Sequence, residues 1–201
     1  MTALSDLAWP RTTARLSIRP GVEADLEPLF RIRTRPEVEQ WMTDAPPDLD
    51  WFLRRSAEVD RLASTLVIER DGRMVGDLML RVEDAWGQHE VAADARGTQA
   101  EIGWCLDPAE TGRGYATEAV EELLRIAFSG LGLRRVTALC FAANDPSWRL
   151  MERVGMRRET HAVRDSLHRT GGWMDGYGYA LLAEEWAAAA GASRGPGTVT
   201  G

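Results

Sequence analysis

The residues with the clearest chemistry are Thr111-Gly112-Arg113-Gly114-Tyr115-Ala116-Thr117. Two glycines, one residue apart, let a ligand approach the backbone closely. They lead directly into residues 115–128, where Ala116, Ala119, Val120, Leu123, Leu124 and Ala127 recur at the spacing of a helix with one core face. The loop therefore sits at a helix N-terminus, where the first backbone N–H groups lack intrahelical partners and the helix dipole is positive. That combination suits a phosphate. It is not the phosphate loop of a nucleotide hydrolase, because no Gly-Lys-Ser/Thr ending follows, and the dinucleotide fingerprint is absent.

The elements around this loop must hold it in place. Residues 100–106 form an apolar run stopped by Asp107-Pro108 and read as a buried strand; residues 135–141 read as a second, after Leu131-Gly132-Leu133 closes the helix. Strand, loop, helix and strand make one right-handed crossover unit. Asn144 then precedes Asp145-Pro146-Ser147, with Asp145 expected as N-cap and Pro146 at the first position of a short helix. Leu150, Met151 and Val154 give that helix an apolar face, and Gly155 stops it.

In this order the segments resemble the acetyl-CoA-binding core of the GNAT N-acetyltransferase superfamily, most closely its branch of ribosomal-protein N-terminal (RimJ/RimL-type) acetyltransferases. The family's pyrophosphate loop (Gln or Arg, two residues, Gly, one residue, Gly or Ala) aligns with Thr111, Gly114 and Ala116. Thr111 departs from it, which reads as a lost side-chain contact and not a lost site. Tyr115-Ala116-Thr117-Glu118-Ala119 and the series Asn144, Ser147, Leu150, Gly155 resemble the branch closely. Weaker similarity runs from Arg15 to Trp186. The resemblance implies an α/β GNAT fold: a mixed central sheet of about six to seven strands, splayed between the fourth and fifth, flanked by about four helices.

It also implies the chemistry. The co-substrate is acetyl-CoA, held by Trp104, Cys105, Leu106, Thr111, Gly112, Arg113, Gly114, Tyr115, Ala116, Thr117, Asn144, Ser147 and Met151. Backbone N–H groups from Arg113 to Ala116 take the pyrophosphate. Backbone groups of Trp104 and Leu106 pair with the pantetheine, one N–H aimed at the carbonyl oxygen. Glu101 is the expected general base, a carboxylate half-buried beside Trp104 and so inclined to hold a proton; the competing reading is an outward-facing strand residue. Ser147 is the expected acid for the departing thiolate, against the reading of ordinary first-turn polarity. Met151 stands where many family members carry a tyrosine. Trp41, Trp51, Phe52 and Asp84, with Glu101, are the acceptor-side candidates, and plain core packing is the alternative for the aromatic three.

Composition bounds the rest. The chain has 201 residues, 44% hydrophobic and 27% charged, and reads as one domain over 13–187 with a lead over 1–12 and a flexible tail over 188–201. A net charge of −7 opposes a nucleic-acid partner. No run spans a membrane, residues 1–10 lack the pattern of a signal peptide, and the expected location is cytoplasmic. Cys105 and Cys140 fall on separate strands and read as buried reduced thiols, and His89, His161 and His168 have no metal-ligand spacing, so no metal is expected.

Along the chain, residues 15–19 read as an edge strand, 23–33 as a helix, and Pro36 as the start of a short helix. Asp48 reads as the N-cap of a third helix, Asp71-Gly72 as a hairpin turn between 64–69 and 74–81, residues 82–99 as a hairpin extension bordering the acceptor site, and 158–167 and 176–182 as closing strands. Two functions remain open. One is acetyl transfer to an amine: a peptide N-terminus, an amino acid, a polyamine or an aminoglycoside, with succinyl-CoA as an alternative donor. The other is an acyl-CoA-binding sensor without turnover. The branch resemblance adds a homodimer as an expected assembly.

Overall fold

The computed structural model describes residues 3–192. Its centre is one eight-stranded sheet in the order β1-β2-β3-β4-β5-β6-β8-β7. The strands are β1 (Arg11–Thr12), β2 (Ser17–Pro20), β3 (Thr65–Arg70), β4 (Arg73–Glu83), β5 (Gln99–Leu106), β6 (Arg135–Phe141), β7 (Arg157–His168) and β8 (Gly172–Leu182). Among the described residues six α-helices accompany them: α1 (Leu26–Arg33), α2 (Pro36–Glu39), α3 (Leu49–Glu58), α4 (Tyr115–Arg125), α5 (Asp145–Arg153) and α6 (Ala183–Ala192). The sheet is one strand larger than the upper expectation because Arg11–Thr12 pairs with β2, which makes β1 and not β2 the edge.

The only parallel pair in the sheet is β5–β6, joined by α4, and it is short. Registered pairing runs from Gln99↔Arg135 to Glu101↔Thr137 and then ceases, although both strands continue. Each is meanwhile held along its length by an antiparallel neighbour: β5 by β4, from Glu83↔Gln99 to Gly76↔Leu106, and β6 by β8, from Arg135↔Leu182 to Phe141↔Gly176. The expected splay is thus present, between what β1 renumbers as the fifth and sixth strands.

Alternation along the strands assigns the two faces. Leu78, Leu80, Ala100 and Ile102 are buried with Ala119, Val120, Leu123 and Leu124 of α4 in the main core. Asp77, Met79, Arg81 and their partners Cys105, Gly103 and Glu101 point to the other face, where Cys105 packs with Ile32 of α1 and Val38 of α2. Leu150 and Met151 of α5 join the α4 side. Asp48 caps α3 by accepting from the Trp51 N–H at 2.7 Å, and Asp71 and Gly72 both take positive φ (51° and 75°) in the β3–β4 turn, as that turn chemistry demands.

Several local expectations shift. The N-cap of α5 is Asn144, not Asp145, and Pro146 stands at its second position; the Asp145 carboxylate instead accepts from Trp148 Nε1 and Arg149. Residues 82–99 form no hairpin extension: a 3-10 helix, His89–Ala95, occupies the loop, and Asp84 closes it by accepting from the Gly97 N–H at 2.8 Å. Helix α4 ends in a π turn, Ile126–Gly130. Residues 188–192, expected in a tail, are helical, because the alanine-rich segment continues as α6, alanine being the strongest helix former. Trp186 pins that helix, its ring 5.5 Å from Phe128. Residues 193–201 lie outside the described residues.

Gly76 lets β4 and the end of β5 approach closely. A Cβ there would lie 2.2 Å from the Cys105 carbonyl oxygen and 3.0 Å from the Leu106 Cα, both backbone atoms that cannot rotate away. Gly76→Val is expected to lower stability by about 1–3 kcal/mol or more, read by urea denaturation. An unchanged midpoint would show that the two strands separate freely at this point.

Candidate active site

Two clefts meet where β5 and β6 part. The larger, about 1020 Å³, is lined by Trp104, Cys105, Leu106, Thr111, Gly112, Gly114, Tyr115, Ala116, Thr117, Asn144 and Ser147. Most of the residues expected at the cofactor therefore stand together. Gly112 and Gly114 adopt φ of 74° and 81°, and Gly114 is the N-cap of α4, with no side-chain cap over the first N–H groups. Space around the loop is open: a Cβ on Gly112 would meet nothing within 4 Å. The Thr111 hydroxyl donates to its own loop, to Pro108 O at 2.8 Å, so its proton is already engaged.

One expected contact, Met151, lies elsewhere, and Arg113 offers the cleft only its backbone. The Arg113 guanidinium turns to the buried Glu110, and the Arg113 carbonyl accepts from Arg15; its side chain does not line the cleft. Met151 is fully buried in the core behind the cleft. In their stead Arg15, Arg149 and Arg153 line the opening, cations that the sequence reading did not single out. The Arg149–Arg153 pair had a signal, four residues apart on one face of α5. Arg15 had none, since its partner Glu118 is 103 residues away.

Arg15 fastens the loop to the helix. It donates through its backbone N–H and its Nε to Glu118, and through Nη1 to Arg113 O, at 2.8, 2.7 and 2.9 Å. Burial acts to raise the Glu118 pKa, but the hydrogen bonds from Thr13 and Arg15, with the arginine's charge, outweigh it and hold the carboxyl below its ordinary 4.5.

The second cleft, about 670 Å³, opens on the face that carries Asp77, Met79, Arg81, Glu101, Gly103 and Cys105, and is walled by Arg33, Trp41, Asp44 and Arg61 on one side and Leu139, Cys140, Phe141 and Tyr177 on the other. Glu101 lies in it with its side chain 24% exposed, not outward into solvent, and it pairs with Arg81, its cross-strand partner. Trp51, Phe52 and Asp84 line neither cleft. Phe52 is 1% exposed and packs with Phe30, its ring 5.0 Å from the Arg61 guanidinium, so it backs the wall; Trp51 packs on the same small cluster.

Trp41, Met42, Trp104, Cys105, Asn144 and Ser147 line both clefts and form the passage between them. Trp41 is positioned from the far end of the sheet. His168 lies edge-on to it, 5.7 Å away, donates from Nε2 to Gln40 O at 2.8 Å, and accepts on Nδ1 from the Thr170 and Gly171 N–H groups. Arg169 adds bonds to Glu39 O and Met42 O. The β7–β8 turn thereby clamps the chain after α2 over the passage. Asn144, although an N-cap, makes no side-chain capping bond, which leaves its amide free of that duty. Leu106 faces the gap through its backbone: Asp107 N–H donates to Val75 O toward β4, so by alternation the N–H and C=O of Leu106 and Trp104 turn the other way.

A gap between parallel strands, a glycine loop on the helix that follows, and clefts on both sides of the sheet are the marks of one fold family, and residues 15–157 match the model of the acetyltransferase (GNAT) domain. The chain belongs to the GNAT acetyltransferase family. Over 110 residues it is 38% identical to the uncharacterized N-acetyltransferase YnaD of Bacillus subtilis, a match covering 54% of this chain and 64% of that protein. The GNAT-family acetyltransferase structure from Bacillus anthracis superposes with a TM-score of 0.72 at 26% identity, over 88% of this chain and 99% of that one. RimL, the ribosomal L7/L12 α-N-protein acetyltransferase solved with coenzyme A, shares the fold with a TM-score of 0.71 at 15% identity, over 86% and 96% of the two chains. As a member of this family the chain is an N-acetyltransferase, and acetyltransferases of the family use acetyl-CoA. Among the described residues no cluster of His, Cys, Asp or Glu could hold a metal ion, and no helix is long and apolar enough to cross a membrane.

The depressed Glu118 pKa fixes a sign. Its contribution to stability is present above the ordinary carboxyl value of 4.5 and is lost as pH falls through the folded value. The stability difference between wild type and Glu118→Gln should therefore be widest near neutrality and close in acid, read by urea denaturation across about pH 3 to 7. A difference independent of pH would show that the charge of Glu118 does not fasten this loop.

Proposed function

We propose that this N-acetyltransferase passes acetyl directly from acetyl-CoA in the first cleft to a primary amine in the second, within one ternary complex. The passage carries the reading: both clefts end on Trp104, Cys105, Asn144 and Ser147, so a thioester laid between β5 and β6 presents its carbonyl to the acceptor side. A sensor that only held acyl-CoA would need the first cleft alone.

The residues fit that co-substrate. The N–H groups of the α4 N-terminus and the cations Arg15, Arg149 and Arg153 meet phosphate charge, and the backbone of Trp104 and Leu106, turned into the gap, meets the amide-bearing arm. A Leu106 N–H aimed there is a preset donor for the oxygen that gains charge as the amine attacks. Glu101 takes the proton the amine releases, with Arg81 holding the carboxylate in place. An α-amine, with a pKa of about 8, needs less help than an alkyl amine at about 10. Ser147 supplies a hydroxyl at the passage for the departing sulfur, whose own pKa of about 8.5 asks for modest stabilisation.

The thiols argue against a covalent relay. Burial pushes Cys105 far up, and burial likewise pushes Cys140 up to about 11, with Arg158 opposing it weakly. Both keep their protons near neutrality and are poor nucleophiles. That supports direct attack.

The test is calorimetric titration with acetyl-CoA and desulfo-CoA, followed by mass spectrometry of an amine and peptide panel. Glu101→Gln is expected to keep acetyl-CoA affinity while kcat falls about 10²- to 10⁴-fold, and Ser147→Ala to cost less. Unchanged turnover in Glu101→Gln would remove that residue from the mechanism. Acetyl-CoA binding with no product from any amine would favour the sensor.

A further inference from the structure

One buried histidine takes no part in the transfer chemistry yet reaches its passage. His168, the last residue of β7, is 7% exposed and is committed on both ring nitrogens. Gln40 O can only accept, so Nε2, 2.8 Å away, carries the hydrogen and donates it. Nδ1 then holds the lone pair and accepts from the Thr170 and Gly171 N–H groups at 3.3 and 3.0 Å. The ring is therefore uncharged and fixed in one tautomer. The other tautomer would set a lone pair against Gln40 O and a hydrogen against two N–H groups. A second proton, on Nδ1, would meet the same two hydrogens, and only the Thr170 hydroxyl, 3.3 Å away, could turn to accept it.

What the ring holds lies across the gap. Residues 40–42 follow α2, and α2 rests on the β5 side, where Val38 packs with Ile32 and Cys105. His168 belongs to the β7–β8 hairpin, which is joined to β6. Its bond to Gln40 thus ties a segment anchored on one side of the opening to the other side, across 128 residues of sequence. Trp41 is placed by this tie. Its ring lies 5.7 Å from His168 and 6.3 Å from Phe141, and Phe141 lies edge-on to His168 at 5.2 Å. Phe141 O accepts from the Asn144 N–H at 2.9 Å, so the three rings adjoin the turn that presents Asn144 to both clefts.

The charges near the ring are engaged elsewhere. Arg169, next in the turn, pairs with Glu39 of α2 at 3.7 Å. Asp165 of β7 accepts from Ser166, Asp175 of β8 pairs with His161, and Asp44, beyond Trp41, pairs with Arg61. From β6 the residue against the ring is Phe141. Among the described residues no carboxylate bonds to either ring nitrogen, so a proton gained there finds no anionic partner in place.

We propose that His168 is a positioning residue for the transfer: it latches Trp41 across the passage, and only while its ring is uncharged. This rests on the transferase reading above and adds to it a control of the passage by acid. A proton on Nδ1 breaks the bonds from Thr170 and Gly171. The turn and the Gln40 segment then lose their common partner, and Trp41 loses its place between the clefts.

The first measurement needs no turnover. In the full-length chain labelled with a nitrogen isotope, the His168 ring signals are assigned by elimination with His89→Gln and His161→Gln, both at exposed positions. The Trp41 indole N–H signal is assigned by its loss in Trp41→Phe. Both are followed over about pH 5 to 8, the range in which histidine side chains change charge. The ring is expected to carry its hydrogen on Nε2 near neutrality, and the Trp41 signal to shift with the same midpoint as the ring. A Trp41 signal that stays still while the ring titrates, a ring charged at neutrality, or a ring uncharged throughout overturns the inference.

Initial rates with propylamine, spermidine and a dipeptide at saturating acetyl-CoA then test the role. His168→Gln keeps a donor for Gln40 O without a titrating group, and near neutrality should lie between wild type and His168→Ala. Any proton gained by the amine or by Glu101 is gained in both proteins, so the ratio of wild type to His168→Gln isolates the ring. On the acid side that ratio of acceptor kcat/KM should fall by up to about tenfold per pH unit, as the competent fraction falls. A ratio independent of pH makes His168 merely structural and overturns the proposal. Coupled signals with no turnover of any amine overturn the transferase reading and the role in transfer with it, while the latch stands.

Discussion

The structure depends on a parallel pair that stops pairing. Beyond Glu101↔Thr137, β5 and β6 each carry a row of N–H and C=O groups with no strand beside them. Buried and unmet, such groups cost about 1–3 kcal/mol apiece, so a sheet does not open in its middle without support. The support is the two antiparallel ladders outside the gap. β4 holds β5 through Gly76↔Leu106, past the point where β6 has left, and β8 holds β6 through Phe141↔Gly176. Each jaw is rigid by itself, so the gap has fixed walls and its backbone groups have fixed directions.

Everything at the site follows from that opening. The chain leaving β5 at the gap turns through Gly112 and Gly114 into α4, and the chain leaving β6 enters α5 through Asn144, so two helix starts face the same cavity. The opposite face of β4 and β5 is free of α4 and lines the second cleft. His168 and Arg169, at the remote end of the sheet, close that wall by holding the segment after α2 over Phe141. One interruption in a ladder thus generates two clefts and the passage between them.

What the sequence disclosed was local. Strand β6 occupies the residues its apolar run predicts, the Asp71-Gly72 turn carries the positive φ values its residue types require, and α4 starts at the glycine loop. The grouping of Trp104, Leu106 and the 111–117 loop at one cleft was legible for this reason, being built from one continuous stretch. The acceptor side was not, because its contacts join distant segments: Arg33 to Asp77 across 44 residues, and Arg81 to Glu101 across 20. A strand period says that Asp77 and Met79 share a face, but only the register says that Cys105 and Gly103 face them. Trp51 and Phe52 misled because aromatic residues on an amphipathic helix read alike whether they meet a substrate or a core. The alanines of α6 misled because low burial potential masked high helix propensity.

The chemistry of the cations completes the logic of the two clefts. All the basic side chains in the chain are arginine; the sequence contains no lysine. Arg15, Arg149 and Arg153 line the cofactor side, and Arg33, Arg61 and Arg81 the acceptor side. A lysine at any of these places would be a primary amine near an activated acetyl group, and burial would lower its pKa and make it a better nucleophile. A guanidinium stays protonated when desolvated and offers no free nitrogen lone pair. Burial and the charge of Arg33 draw Arg61 down from its ordinary value, yet that value starts so high that the group remains a cation. Arginine therefore supplies positive charge on both sides of the passage while leaving no side-chain primary amine at either cleft.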